Sequence, residues 1–287
     1  MKRRIIVNAD DFGLVESVSE GVIEAFNNAQ VSSTTLMVNT PGTEHAVGLA
    51  ELHPTLGVGL HFNLTEGRSL TSASSLVDPS GTFYSRPRLL RRLLKRTVDM
   101  DHIRIEFEAQ LERINELGIS PTHVDSHEHV HMAPRVFRAI SSVVRDRVPR
   151  LRLVNPPHHH LANLRGFRPR ATFRDAVLQL SSASIRKNFS GVTNDYFVSL
   201  HQLPPGVAWT VDSYREIARS GPSDSVCEVM VHPYPPGEDL EILYRDDPLR
   251  DARQFFAEKC FAEHRILTEL APFDPAEFDL ITFDRLD

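Results

Sequence analysis

"IIVNADDFG", Ile5–Gly13, sets two adjacent carboxylates at the end of an apolar run. Ile5, Ile6 and Val7 read as a buried strand, and Asp10 and Asp11 stand where that strand leaves the core. Burying neighbouring carboxylates is costly unless something positive neutralises them. Either an aspartate caps a helix beginning near Val15, in an ordinary strand-to-helix turn, or a cation sits there.

The same kind of ending recurs along the chain. "GVGLH" ends in His61, "THVDSH" carries Asp125 and ends in His127, and "VCEVMVH" ends in His232. Apolar runs near 4–8, 33–39, 56–62, 122–126, 150–154, 195–200, 226–231 and 279–283 read as strands. Between them lie helical patterns. Residues 16–29 are one, and 101–117 place Ile103, Phe107, Leu111 and Ile114 on one stripe with an Arg104–Glu108 pair. Gly118 and Pro121 stop that helix, while 134–147 begin with Pro134 in the first turn. Strands alternating with helices of this length imply βαβ units and a parallel sheet. The expected fold class is therefore α/β, a single irregular (β/α) barrel of about seven to eight parallel strands over 1–287, rather than a doubly wound sheet. Two stretches interrupt the rhythm, near 65–100 and 155–194, and read as long loop insertions.

Composition narrows the class of function. The chain has 287 residues, 41% of them hydrophobic, and 32 Lys plus Arg against 38 Asp plus Glu give a formal charge of −6. A mildly acidic balance argues against nucleic-acid binding. Cys227 and Cys260 are too few for a disulfide framework, which fits a reducing cytoplasm. No apolar run approaches a membrane span or a signal peptide, so neither stable membrane insertion nor export is expected.

In parallel α/β folds the carboxyl ends of the strands share one edge, where sites are assembled from several strands. Two imidazoles and one carboxylate on three strand ends make a facial metal site with open positions. A divalent ion there generates a nucleophile from water, a neighbouring aspartate can take a proton, and His232 can protonate a leaving group. In "HVDSHEHVH" the residues His123, Asp125, His127, His129 and His131 share one face if extended, more than one ion requires, so the roles of some stay open. His158–His160 read as a polar loop, Cys227 as a core residue, and "RPRLLRRLLKR", with Leu89, Leu90, Leu93 and Leu94 on one side, as a solvated surface helix.

"NADDFG", "STTLMVN", "VGLHFNLTEG", "PTHVDSHEHVHMAP" and "EVMVHP", in this order between Ile5 and Pro233, resemble the motifs of the YdjC-like carbohydrate deacetylases. That family includes chitooligosaccharide deacetylases and has a branch associated with hopanoid biosynthesis. The resemblance implies a (β/α) barrel and one divalent metal ion held by Asp11, His61 and His127. It also implies Asp10 as general base and His232 as acid. Magnesium is what the resemblance implies, whereas two imidazole ligands suit zinc, manganese or cobalt better. Glu128 stands where many relatives carry Gln or His. Nothing comparable is recognised in 158–195 or after Pro236.

The expected function is metal-dependent removal of an acetyl group from an N-acetylated amino sugar, oligosaccharide or glycolipid. Tyr84, Phe62 and Trp209 are candidate sugar-stacking aromatics, with core packing the better reading of Phe62. The competing readings are a metal-dependent phosphoesterase or sugar isomerase on the same scaffold, or a non-catalytic carbohydrate-binding relative. A phosphatase calls for Arg or Lys near the strand ends, and none adjoins these motifs; an isomerase calls for more acids than Asp10, Asp11 and Asp125. A homodimer is compatible with such barrels.

Overall fold

The apolar run after the N-terminus becomes the spine of a parallel sheet. In the computed structural model, which describes residues 2–157, 169–203, 207–245 and 250–286 (backbone alone for 169–174), strand β1 is Arg3–Phe12. It is followed by α1 (Glu16–Asn27), β2 (Ser33–Leu36), α2 (Thr43–Leu52), β3 (Gly57–Phe62), α3 (Arg86–Leu94), α4 (Met100–Glu116), β4 (Val124–Ser126) and α5 (Pro134–Arg147). Then come β5 (Arg150–Leu151), α6 (Pro169–Asn188), β6 (Val192–Thr193), β7 (Tyr196–Val198), α7 (Val211–Ala218), β8 (Cys227–Val231), α8 (Glu238–Tyr244), α9 (Arg250–Arg265) and β9 (Phe278–Leu280).

All strand pairs are parallel, in the order β6-β5-β4-β3-β2-β1-β8-β7, with β9 pairing the first residues of β1. The strands form a curled half-barrel with helices around it, as expected of an α/β barrel. Among the described residues no ladder joins β6 to β7, so the closed ring is replaced by an open curl. β6 is an additional strand that the sequence pattern did not suggest.

Strand alternation sorts the side chains. Ile5, Val7 and Ala9 of β1 join the large apolar cluster with Val58, Leu60, Phe107 and Leu111. The alternate set, Ile6, Asn8 and Asp10, shares its side with Thr35, His61, Asp125, Arg152 and Glu228, which are hydrogen-bonded to one another and fully or almost fully buried. The interior of the curl is thus polar toward the carboxyl ends of the strands. Its other end is closed by Ile6, Val226, Ile281 and Phe283, with the His123 ring stacked on Phe283 at 3.7 Å. Gly59 faces this interior: a Cβ there would lie 2.5 Å from the His123 ring.

The stretch near 65–100 is only partly loop. It contains α3, in which Leu89 and Leu93 are buried and Leu90 is half-buried against the core while Leu94 stays exposed, so the surface-helix reading holds for Leu94 alone of its four leucines. Its first part is tied down by Glu106 of α4, whose carboxylate accepts from the Ser69 and Thr71 hydroxyls and from the Leu70 and Thr71 amides. The stretch near 155–194 holds α6, and His158–His160 lie outside the described residues. Among the described residues no helix is long and apolar enough to cross a membrane.

Candidate metal and catalytic centre

Strict alternation would place Asp10 and Asp11 on opposite faces of β1. The backbone prevents this. Asp11 has φ of 66°, in the left-handed region, and the β1–β2 register shifts between Ala9 and Phe12. This local bulge lets both carboxylates reach the same cavity. The capping reading falls, because the N-cap of α1 is Val15 and no side chain caps that helix.

Asp11 Oδ1 lies 2.7 Å from His127 Nδ1 and 3.0 Å from His61 Nε2. His61 and Asp125 are register partners on β3 and β4, and His61 Nδ1 bonds Asp125 Oδ1 at 2.7 Å. That bond aims the other ring nitrogen at Asp11, and Thr35 donates to Asp125 Oδ2 at 3.0 Å. Among the described residues, the donor atoms of Asp11, His61 and His127 lie within 4.8 Å of one another, a group able to hold a divalent ion. One carboxylate and two imidazoles are a donor set that fits such an ion chemically.

The electrostatics of these groups follow from burial and pairing. Burial resists the charge on Asp11, yet His127 and His61 hold its carboxyl well below the usual range. Burial likewise opposes charge on His61, but Asp125 and Asp11 outweigh it and raise the imidazole to about 10. His127 moves the same way beside Asp11. The carboxylates thus favour a proton on each ring, and a bound ion would have to displace it.

Asp10 is held differently. Arg152, just after β5 and fully buried, donates to Asp10 Oδ2 at 2.7 Å and to Oδ1 at 2.6 Å. The same guanidinium reaches Asp125 Oδ2 at 2.6 Å and Glu228 Oε1 at 2.6 Å. Asn8 donates to Asp10 Oδ1 at 2.9 Å. Oδ1 therefore accepts twice, and among the described residues Oδ2 accepts from Arg152 alone, which leaves it an open lone pair. Burial pushes the Glu228 carboxyl up to about 8, Arg152 only partly opposing it.

His232, just beyond β8, sits across the cluster with Nε2 3.7 Å from Asp11 Oδ2. Its amide donates to Glu263 Oε2 at 2.6 Å, and burial with His201 nearby lowers its pKa. The Tyr234 hydroxyl donates to Asp11 Oδ2. All of Asp10, Asp11, His61, His127 and His232 line one cavity of about 380 Å3, so the five residues picked from separate motifs converge.

The remaining histidines part company. Glu128 and His129 have φ of 52° and 56°, so the extended run breaks after His127 and its shared face is lost. His131 turns under β5, bonding the Arg152 carbonyl at 3.0 Å, and burial lowers its pKa to about 4. His123 is buried against Phe283 and lowered to about 3 for the same reason. His129 packs edge-on against Phe197 and reaches the cavity wall.

The aromatic expectations fare less well. Phe62 packs on Phe107 at 5.0 Å, as its core reading requires. Tyr84 lies under Arg88 and Arg92, and Trp209 packs on His201; the cavity is lined instead by Tyr234, Tyr244 and Phe256. The expectation that no cation stands near the strand ends is overturned by Arg152. Arg152 and Glu228 were overlooked although each is a lone charge inside an apolar run, "LRLV" and "VCEVMV", the signal of a paired buried ion. Cys227 is a buried core thiol, raised by burial to about 12.

Comparison with known proteins identifies relatives of this chain. A carbohydrate deacetylase of Geobacillus stearothermophilus is 48% identical over 150 residues, which are 52% of this chain and 59% of that protein. A chitooligosaccharide deacetylase of Yersinia pestis (strain Pestoides F) is 43% identical over 154 residues, 53% of this chain and 60% of its own. The chain thus spans about three fifths of the length of these curated relatives. A crystal structure described as that of a candidate cellobiose-phosphate cleavage protein from Enterococcus faecalis V583 superimposes with a TM-score of 0.71. It is 20% identical and covers 99% of this chain and 98% of its own, a likeness of fold. The family model described as YdjC-like protein matches residues 4–271, and the chain belongs to that family.

Proposed function

We propose that the chain is a metal-dependent carbohydrate deacetylase that hydrolyses the acetamide of an N-acetylated amino sugar or its oligomer. The observation that carries this reading is the Asp11–His61–His127 cluster, with Asp10 on one side and His232 on the other in a single cavity. The deacetylase names of the two curated relatives support it. Asp11, His61 and His127 would hold a divalent ion, which would supply Lewis-acid polarisation of the acetyl carbonyl and a lowered pKa for water. Magnesium follows from the family resemblance, and zinc or manganese from the two imidazoles.

The chain's own residues do the rest. Asp125 and Thr35 hold the His61 ring, and Tyr234 holds the outer oxygen of Asp11. Asp10, clamped by Arg152 and Asn8, takes the proton of the attacking water on Oδ2. The water oxygen bonds the acyl carbon, the C–N bond breaks, and His232 protonates the leaving amine through Nε2. Tyr234, Tyr244 and Phe256 provide apolar walls that exclude bulk water. Arg152 is taken up by Asp10, Asp125 and Glu228, so it offers no charge to a phosphate ester.

The test is acetate release from N-acetylglucosamine oligomers. Asp10→Asn and His127→Ala each lower kcat/KM by about 10²–10⁴-fold. Metal-loaded wild-type protein that releases nothing from a panel of acetylated sugars and glycolipids would overturn the proposal.

A further inference from the structure

Behind His232 lies a second group of donors that the proposed reaction leaves unused. One donor atom each from His201, His232 and Cys260 lie within 4.8 Å of one another. His201 comes from the turn Leu200–Gln202 after β7, His232 follows β8, and Cys260 projects from α9. Glu263, one turn further along α9, shares the face of Cys260. Its Oε2 is 3.2 Å from His201 Nε2 and 4.0 Å from His232 Nδ1.

Two features mark this group as a site rather than packing. His232 is 93% buried, being 7% exposed, yet its Nδ1 has no hydrogen-bond partner among the described residues. An orphaned buried ring nitrogen is costly, and its natural partner is a Lewis acid or a donor that is not part of the fold. Cys260 is fully buried beside it, while His201 and His232 both line the cavity, which gives an ion a route in. Tetrahedral zinc, with Zn–S about 2.3 Å and Zn–N about 2.0 Å, sets its donors about 3.5 Å apart. Small side-chain rotations therefore close the group on an ion.

We propose that His201, His232 and Cys260 form a second, thiolate-containing site for Zn2+, flanked by Glu263, and that its occupation disables His232 as proton donor. Binding forms S–Zn and N–Zn bonds, and the thiol proton leaves to solvent. The thiolate discriminates against magnesium and manganese, which prefer oxygen donors, so only a softer ion fills this site. With a zinc ion on Nδ1, the His232 ring cannot become an imidazolium, so the leaving amine is not protonated and the C–N bond does not break. The metal site stands on geometry alone; its inhibitory consequence rests on the deacetylase reading.

Cobalt substitution tests the site without reference to activity. Wild-type protein loaded with excess Co2+ is expected to show a sulfur-to-cobalt charge-transfer band and a second equivalent of bound ion. Asp11→Asn keeps the band, whereas Cys260→Ala loses both band and second equivalent, and His201→Ala binds the second ion more weakly. Absence of the band in wild type, or its persistence in Cys260→Ala, overturns the proposal. In acetate release, excess zinc lowers the wild-type rate by about a hundredfold and leaves Cys260→Ala unaffected. A zinc-bound thiolate without deacetylation would retain the site and sink the activity; deacetylation equally inhibited in Cys260→Ala would sink the inhibitory role.

Discussion

Asp11 and Glu228 show what single residues contribute. Asp11 adopts a conformation that non-glycine residues seldom hold, at a cost of order 1–3 kcal/mol. The two imidazoles it reaches offset that cost. Glu228 is the weakest member of the Arg152 cluster, because burial favours its neutral form and Asp10 and Asp125 add negative charge nearby. A carboxyl near 8 in the fold and about 4.3 when unfolded keeps its proton longer in the native state. Stability therefore falls as pH rises across that window. Glu228→Gln, which cannot ionise, is expected to match wild type at the acid end and exceed it at the alkaline end. Urea unfolding midpoints across that window check this, and parallel curves would refute it. The candidate ligands Asp11, His61 and His127 could be picked out in the sequence because each stands at the end of a strand-like run. The left-handed φ of Asp11 and of Glu128 has no such signature, so the loss of the shared histidine face could not be.

Elements were read well where a periodic pattern had length to express itself. α4 has its stripe of Ile103, Phe107, Leu111 and Ile114 fully buried, and Asp99 caps it by accepting from the Asp101 amide at 2.9 Å. α5 spans 134–147 as expected. By contrast β6, two residues long, is too short for alternation, β5 keeps only Arg150–Leu151 of the strand expected over 150–154, and α6 carries exposed Val177 and Leu180 that blur its stripe. β3 is constrained by its neighbour: Gly59 lets β3 pass the His123 ring and its carbonyl, which a Cβ would meet at 2.5 and 2.8 Å. Gly59→Ala must push backbone or ring aside, at an expected cost of about 1–3 kcal/mol. Chemical denaturation measures the loss. Because β3 carries His61, divalent-ion affinity should fall with it; an unchanged affinity in a destabilised protein would separate the two.

At the scale of the molecule, the centre ties together strands far apart in sequence, so ligand binding and folding are linked. Magnesium or manganese at a hundred times its Kd adds about 2.7 kcal/mol, or roughly 5 °C in Tm. Asp11→Asn should abolish this rise, as scanning calorimetry with and without the ion would show. Fold class was readable because strand and helix alternate throughout. The open edge between β6 and β7 was not, since closure depends on strand tilt and register rather than on composition.

β1 is hydrogen-bonded along one side to β8 and at its start to β9, through pairs such as Ile5 with Cys227 and Arg3 with Phe278. A ribosome that has made the first half of this chain has therefore released a strand that has β2 on one side while β8 and β9 do not yet exist. Its exposed edge must wait through most of translation, a delay that favours slow maturation and engagement by chaperones over folding in step with synthesis.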